Sequence, residues 1–214
     1  VVGDVYCSVI EGCLEIFDLR RAQEWTSALA RWCDSQPDLV PFRGQCLIRR
    51  AEILQLHGAW SDAQTAAGLA CQKLLDPPQP ASGAAFYCCG ELHRLRGEIT
   101  EAEEAYRQAS RHGRKPQPGL ALLRLLQGQA ETAANAIRLA LDEATGFEQR
   151  VRLLPACVEI MLAAGELADA QAAAEELDQL STKVGAEFLK AQAAQARGAI
   201  LLAKGENRAG LSLL

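Results

Sequence analysis

Four glutamates, Glu11, Glu52, Glu91 and Glu159, stand at one recurring place in this sequence, each six residues before the turn position of a repeated motif. Carboxylates held in one register on successive helices would make an acidic ladder, suited to a basic peptide or a cationic effector. The plainer reading is a solvated face, since glutamate is a good helix former wherever it meets water. Arg49, Arg50, Arg94 and Arg152 lie beside three of these acids in sequence and could neutralise the ladder from within. Arg50 occupies a place that is usually apolar in the motif, so either it pairs with an acid, which is the reading expected, or the register there is imperfect.

Eight cysteines, Cys7, Cys13, Cys33, Cys46, Cys71, Cys88, Cys89 and Cys157, raise metal and redox chemistry. None is spaced as CxxC, so the strong zinc signature is missing. Cys89 and His93 share a helix face at i, i+4 with Cys88 adjoining, yet ligands from a single helix do not close a site. Cys13, Cys89 and Cys157 fall at inward positions where small apolar residues belong. Reduced core cysteines are therefore expected, with thiol sensing as the second reading and a metal site as the third.

His57 and His112 lie near helix C-termini, where the helix dipole favours a partly charged imidazole, and His93 takes the place of a core aromatic. No serine or cysteine nucleophile has an identifiable histidine and acid beside it, and no glycine-rich phosphate loop follows a strand. The basic run with Arg107, Arg111, Arg114 and Lys115 could touch a phosphate, though a solvated helix end is the plainer reading. The expectation is a binding scaffold with no catalytic residue, cofactor or metal.

The elements that must position these residues are set by one recurrence. Glycine is followed five residues later by alanine or glycine at Gly58 and Ala63, Gly97 and Ala102, Gly128 and Ala133, Gly165 and Ala170, and Gly205 and Gly210. Each copy sits between two apolar helical patterns, so it reads as the turn of a helix hairpin. The glycine can take the left-handed conformation that ends a helix, and the small residue admits the next helix at close range. A further pair turns at Phe17, with Ala22 as its small residue, and this turn is expected to be the least regular.

The pairs are expected over about 4–33, 41–74, 82–112, 118–144, 150–183 and 186–214. The proline-rich DPPQP stiffens the link after the second pair, and Pro155 must lie in the first turn of its helix or kink it. Hydrophobic residues make up 49% of the 214 residues but aromatics only 5%, a composition suited to closely packed helices and not to a sheet. The net charge of −5 gives no general attraction to nucleic acid, so none is expected to bind this segment. No signal peptide or membrane span is legible, and no membrane association is expected.

The order of small residue, turn glycine, alanine, Tyr106 and Ala109 around Gly90, Gly97 and Ala102 resembles a tetratricopeptide repeat. The stretches FDLRRAQEWTSALARWCDSQPDLVPFRGQCLIRRAEILQLHGAW, ELHRLRGEITEAEEAYRQASRHGRKPQPGLALL and LLPACVEIMLAAGELADAQAAAEEL resemble the helical-repeat region of actinobacterial LuxR-type transcriptional regulators. The fold expected is all-α, a right-handed superhelix of antiparallel helix hairpins (a TPR-like α-solenoid) with about six repeats in one domain. Stacked hairpins of this kind leave a concave face lined by their first helices, open to a protein, a peptide or a small effector.

In that family the region usually precedes a helix-turn-helix that binds DNA. The resemblance therefore implies a cytoplasmic sensing and interaction region, with the DNA-binding module beyond this chain. The alternative is a stand-alone TPR adaptor that holds a partner in its groove. The chain starts without methionine and stops within AGLSLL, so it is expected to be a piece of a longer protein. Ile200, Leu201 and Leu202 are then expected to lose part of their cover, which would allow a homo-oligomer through the C-terminal end.

Overall fold

A computed structural model of the chain describes residues 2–35, 41–75, 79 and 81–213. The DPPQP link, apart from Gln79, and the side chain of Cys33 lie outside the described residues. Among those residues the chain forms twelve helices and no strand. They fall into two compact units, Val1–Gly119 and Leu120–Leu214.

The first unit holds α1 (Val2–Glu15), α2 (Leu19–Asp34), α3 (Pro41–Leu56), α4 (Trp60–Leu75), α5 (Ser82–Leu95) and α6 (Ile99–Arg111). Consecutive helices pack as pairs, and α1 also touches α3, which in turn touches α5. The first helices of successive hairpins thus lie against one another. In the second unit, α8 (Ala130–Glu143), α9 (Phe147–Ala163), α10 (Leu167–Val184), α11 (Glu187–Ala203) and the short α12 (Asn207–Leu211) pack in sequence, with α9 also against α11. The helix α7 (Gly119–Leu126) belongs, apart from its first residue, to the second unit.

One turn geometry recurs between the paired helices. Phe17, Gly58, Gly97, Gly128, Gly165 and Gly205 all have positive φ, from 57° to 82°. In each case the residue's own N–H bonds the carbonyl three residues back, and the next N–H bonds the carbonyl five back. Gly97 reaches Arg94 at 3.0 Å in this way, and Glu98 reaches His93 at 2.9 Å. These bonds satisfy the carbonyls that a helix end leaves free. Phe17 makes the same pair of bonds, to Leu14 at 3.1 Å and from Asp18 to Cys13 at 2.8 Å, while its φ of 57° stands apart from the 75–82° of the glycines. The first turn is thus the least regular in backbone angle, as expected, while the backbone bonds still carry a bulky residue into the same turn.

Four residues after the left-handed residue plus one comes the small side chain. Ala22, Ala63, Ala102, Ala133 and Ala170 are all 0% exposed. The N–H of each closes the first helical bond of the second helix, as from Ala102 to Glu98 at 2.9 Å. Close approach is visible again at Gly90, where an added Cβ would stand 2.6 Å from the Tyr106 ring, and at Gly210, where it would stand 2.9 Å from Leu202. At this last hairpin Ile200 is buried while Leu201 and Leu202 are half-buried under α12.

Pro155 lies in the interior of α9, because the helix begins at Phe147, earlier than the sequence pattern indicated. It does not sit in the first turn, and its place in the ladder lacks an N–H. Its neighbours Leu154, Val158 and Met161 are buried, and this apolar face holds α9 helical through the missing bond.

Across the second unit Arg150 ties three helices together. Its guanidinium donates to the carbonyls of Leu141 at 3.0 Å and Ala144 at 3.2 Å, at the end of α8, and to both carboxylate oxygens of Glu176 on α10. The hydrogen bond from Arg150 holds the Glu176 carboxyl below its ordinary value.

Two outcomes are expected. Ala102→Leu overpacks the α5–α6 hairpin and costs roughly 1–3 kcal/mol in denaturant unfolding, whereas the same change at exposed Ala163 costs much less. A carboxyl lowered in the folded state stabilises above its unfolded value and loses that contribution as pH falls through the folded one. The stability that Glu176 supplies is therefore present at neutral pH and fades below about pH 4.5. Arg150→Met removes this acid-dependent part, and the loss of its bonds costs about 1–3 kcal/mol at neutral pH.

Candidate functional site

The acidic residues are placed by the turns, since each sits on the first helix of its hairpin at a fixed distance from the left-handed residue. Glu11 on α1 and Glu52 on α3 are joined by one guanidinium. Arg49 on α3 donates to Glu11 at 3.0 Å and to Glu52 at 3.0 Å, a bridge between two successive first helices. Burial by itself would lower Arg49, but the two carboxylates more than offset it and hold the guanidinium up. The Glu11 side chain remains 59% exposed and that of Glu52 32%, so both can still meet a ligand.

Glu91 on α5 is in a different position. Its side chain is only 16% exposed. The Tyr106 hydroxyl on α6 donates to it at 2.5 Å and Arg94 at 2.9 Å. Burial and the Glu91 charge together push the Tyr106 hydroxyl well up, so it stays a donor. The end of this pocket is closed by Gly119, where any side chain would run into the Glu91 carboxylate and the Tyr106 hydroxyl. Gly119 N–H reaches the Tyr87 hydroxyl at 3.3 Å, and Arg114 lies 5.0 Å from the Tyr87 ring centre. Glu91 is thus consumed in joining α5 to α6.

Glu159, in the second unit, is exposed on α9. Arg152 pairs with Glu148 at 2.7 Å and not with Glu159. Arg50 is exposed, and among the described residues no acid is paired with it. The pairing expected there fails because α3 turns that position outward.

Among the described residues no group of three or more histidine, cysteine, aspartate or glutamate side chains is placed to hold an ion. His93 Nδ1 is taken by Glu98 at 2.6 Å, and Cys88 is buried among Ala51, Ala63, Ala66 and Leu92. Glu98, the residue before α6, is also held by Arg96 at 2.7 Å, and Arg96 reaches back to Gln64 on α4 at 2.9 Å. In the basic run, Arg107 pairs with Glu104 while Arg111 and Lys115 are exposed.

No described helix is long and apolar enough to cross a membrane. No family model matches the chain, and no curated protein matches it.

The contrast between Glu91 and Glu159 gives a test of the ladder's two roles. Glu91→Lys places a cation beside Arg94 and orphans the Tyr106 hydroxyl, so it should destabilise the first unit by about 2–3 kcal/mol. Glu159→Lys changes an exposed residue and should shift stability by less than about 0.5 kcal/mol. Equal effects in urea titrations would mean that Glu91 does not join α5 to α6 through Tyr106 and Arg94.

Proposed function

We propose that this chain is the helical-repeat sensing and protein-interaction region of a LuxR-type transcriptional regulator, with the DNA-binding helix-turn-helix lying beyond it. The observation that carries the reading is the single turn geometry repeated from hairpin to hairpin, in the stretches that resemble such regulators. A chain built this way offers a surface made of many first helices.

In this reading the hairpins belong to a right-handed TPR-like superhelix of about six repeats, in the cytoplasm. The contacts of α1 with α3, α3 with α5, and α9 with α11 support it within each unit. The concave face takes a protein or peptide partner or a small effector. Arg49 suggests how binding is sensed, because a cationic group arriving at Glu11 and Glu52 competes with the guanidinium that joins α1 to α3. Displacing that bridge changes how two successive hairpins are held, and a stack transmits such a change from neighbour to neighbour.

The parent protein tests the reading. Its reading frame past Leu214 should encode a helix-turn-helix, and the parent should retard its promoter DNA in a gel while residues 1–214 alone do not at about 150 mM salt. Transcription from that promoter should change when residues 1–214 are deleted. A reading frame without a DNA-binding module, or a promoter indifferent to the deletion, defeats the proposal and leaves the stand-alone adaptor.

A further inference from the structure

Two cysteines 18 residues apart in the sequence meet in the fold. The sulfurs of Cys71 on α4 and Cys89 on α5 stand 3.4 Å apart, across the joint between the second and third hairpins. A disulfide needs about 2.05 Å between sulfurs, so closing the bond asks for a movement of ~1.4 Å. Cys13, Cys46, Cys88 and Cys157 are buried, whereas Cys7, Cys71 and Cys89 are half-buried, so the Cys71–Cys89 pair is within reach of a molecule as small as a peroxide. Cys71 adjoins the core cluster of Ile48, Ala70, Leu74 and Ala85, and Cys89 adjoins that of Ala51, Ala63, Cys88 and Leu92. A bond between them would tie the two clusters together.

We propose that Cys71 and Cys89 form a reversible modification site for hydroperoxides, at which oxidation closes a disulfide between α4 and α5. This inference stands apart from the reading of the chain as part of a regulator.

The contact between the two sulfurs sets the course of the oxidation. The hydrogen bond from Cys71 holds the Cys89 thiol below its ordinary value, against the opposing effect of burial. Burial pushes the thiols of Cys13, Cys88 and Cys157 up instead. The thiolate is the attacking form, and with the sulfurs 3.4 Å apart each can resolve the other, so Cys89 is taken as the one that meets the peroxide. Its sulfur attacks one peroxide oxygen, the O–O bond breaks, and the other oxygen leaves as water with the proton that Cys89 gave up. The product is a sulfenic acid on Cys89. Cys71 then attacks the sulfenic sulfur, the S–S bond forms as the S–O bond breaks, and the oxygen leaves as water with the Cys71 proton. Two thiols have lost two electrons, and one hydrogen peroxide has become two waters. A dithiol reductant reverses the bond by exchange.

The test is peptide mapping of the 214-residue chain after about one equivalent of hydrogen peroxide, with free thiols alkylated before digestion without reductant. The expected product is a linked pair of peptides containing Cys71 and Cys89, abolished by dithiothreitol. The link should form at least about tenfold faster in the folded chain than in urea, because the fold holds the sulfurs together. In Cys71→Ser the sulfenic acid on Cys89 has no resolving thiol and should persist long enough to be trapped by dimedone. Recovery of both cysteines fully alkylated, a link from Cys89 to any other cysteine, or equal rates in folded and unfolded chains overturns the proposal. The wild-type mapping decides the matter even if the serine variant does not fold.

Discussion

The closeness with which the second helix of each hairpin approaches the first governs this molecule. That distance depends on a short sequence of backbone events: a residue with positive φ, two N–H groups folded back onto the helix it ends, and then a side chain no larger than a methyl at the point of contact. Ala22, Ala63, Ala102, Ala133 and Ala170 are completely covered because they occupy that point. Packing at such range gains dispersion contacts without large side chains, so the chain can build its core from alanine, leucine and cysteine with few aromatics.

A core of small residues has little slack, and the polar groups near it are correspondingly committed. Tyr106 illustrates this well. Its ring fills the space that Gly90 leaves, and its hydroxyl is carried across to Glu91, where Arg94 balances the charge. Removing any one of these would strand the others, since a buried group without a partner bears the full cost of its lost hydration. Arg150 plays a comparable part in the second unit by closing the end of α8 onto α10. Charge in this chain is therefore used first to hold helices in place, and only what remains exposed, such as Glu11 and Glu159, faces outward as a ligand would need.

Much of the fold was legible because its signal is local. Glycine followed by a small residue five places later is a backbone requirement written in the chain itself, and the helices it separates begin and end within a few residues of where the pattern puts them. Phe17 marks the limit of that logic. A bulky L-residue in the left-handed region costs about 1–2 kcal/mol, yet the bonds from Phe17 and Asp18 impose the same turn. The candidate site was less legible for a related reason. The common register of Glu11, Glu52, Glu91 and Glu159 could be read from spacing, but the burial of Glu91 depends on Tyr106 and Gly119, which come from elsewhere. A one-helix pattern likewise turned Arg50 toward an acid that the fold does not bring to it.

The cysteines follow from the same constraint that fixes the architecture. A position that must stay small but apolar admits cysteine nearly as well as alanine, which accounts for Cys13, Cys88 and Cys157 inside the hairpins. Where two such positions face each other across a joint between hairpins, the close approach that small residues permit also brings two sulfurs into contact. Cys71 and Cys89 are that case, separated by a link in sequence and joined by the packing of α4 on α5. Spacing along the chain carries no sign of it, because the contact is made by two different helices. A packing rule that admits sulfur for its size thus also supplies a pair whose chemistry differs from that of every alanine it could replace.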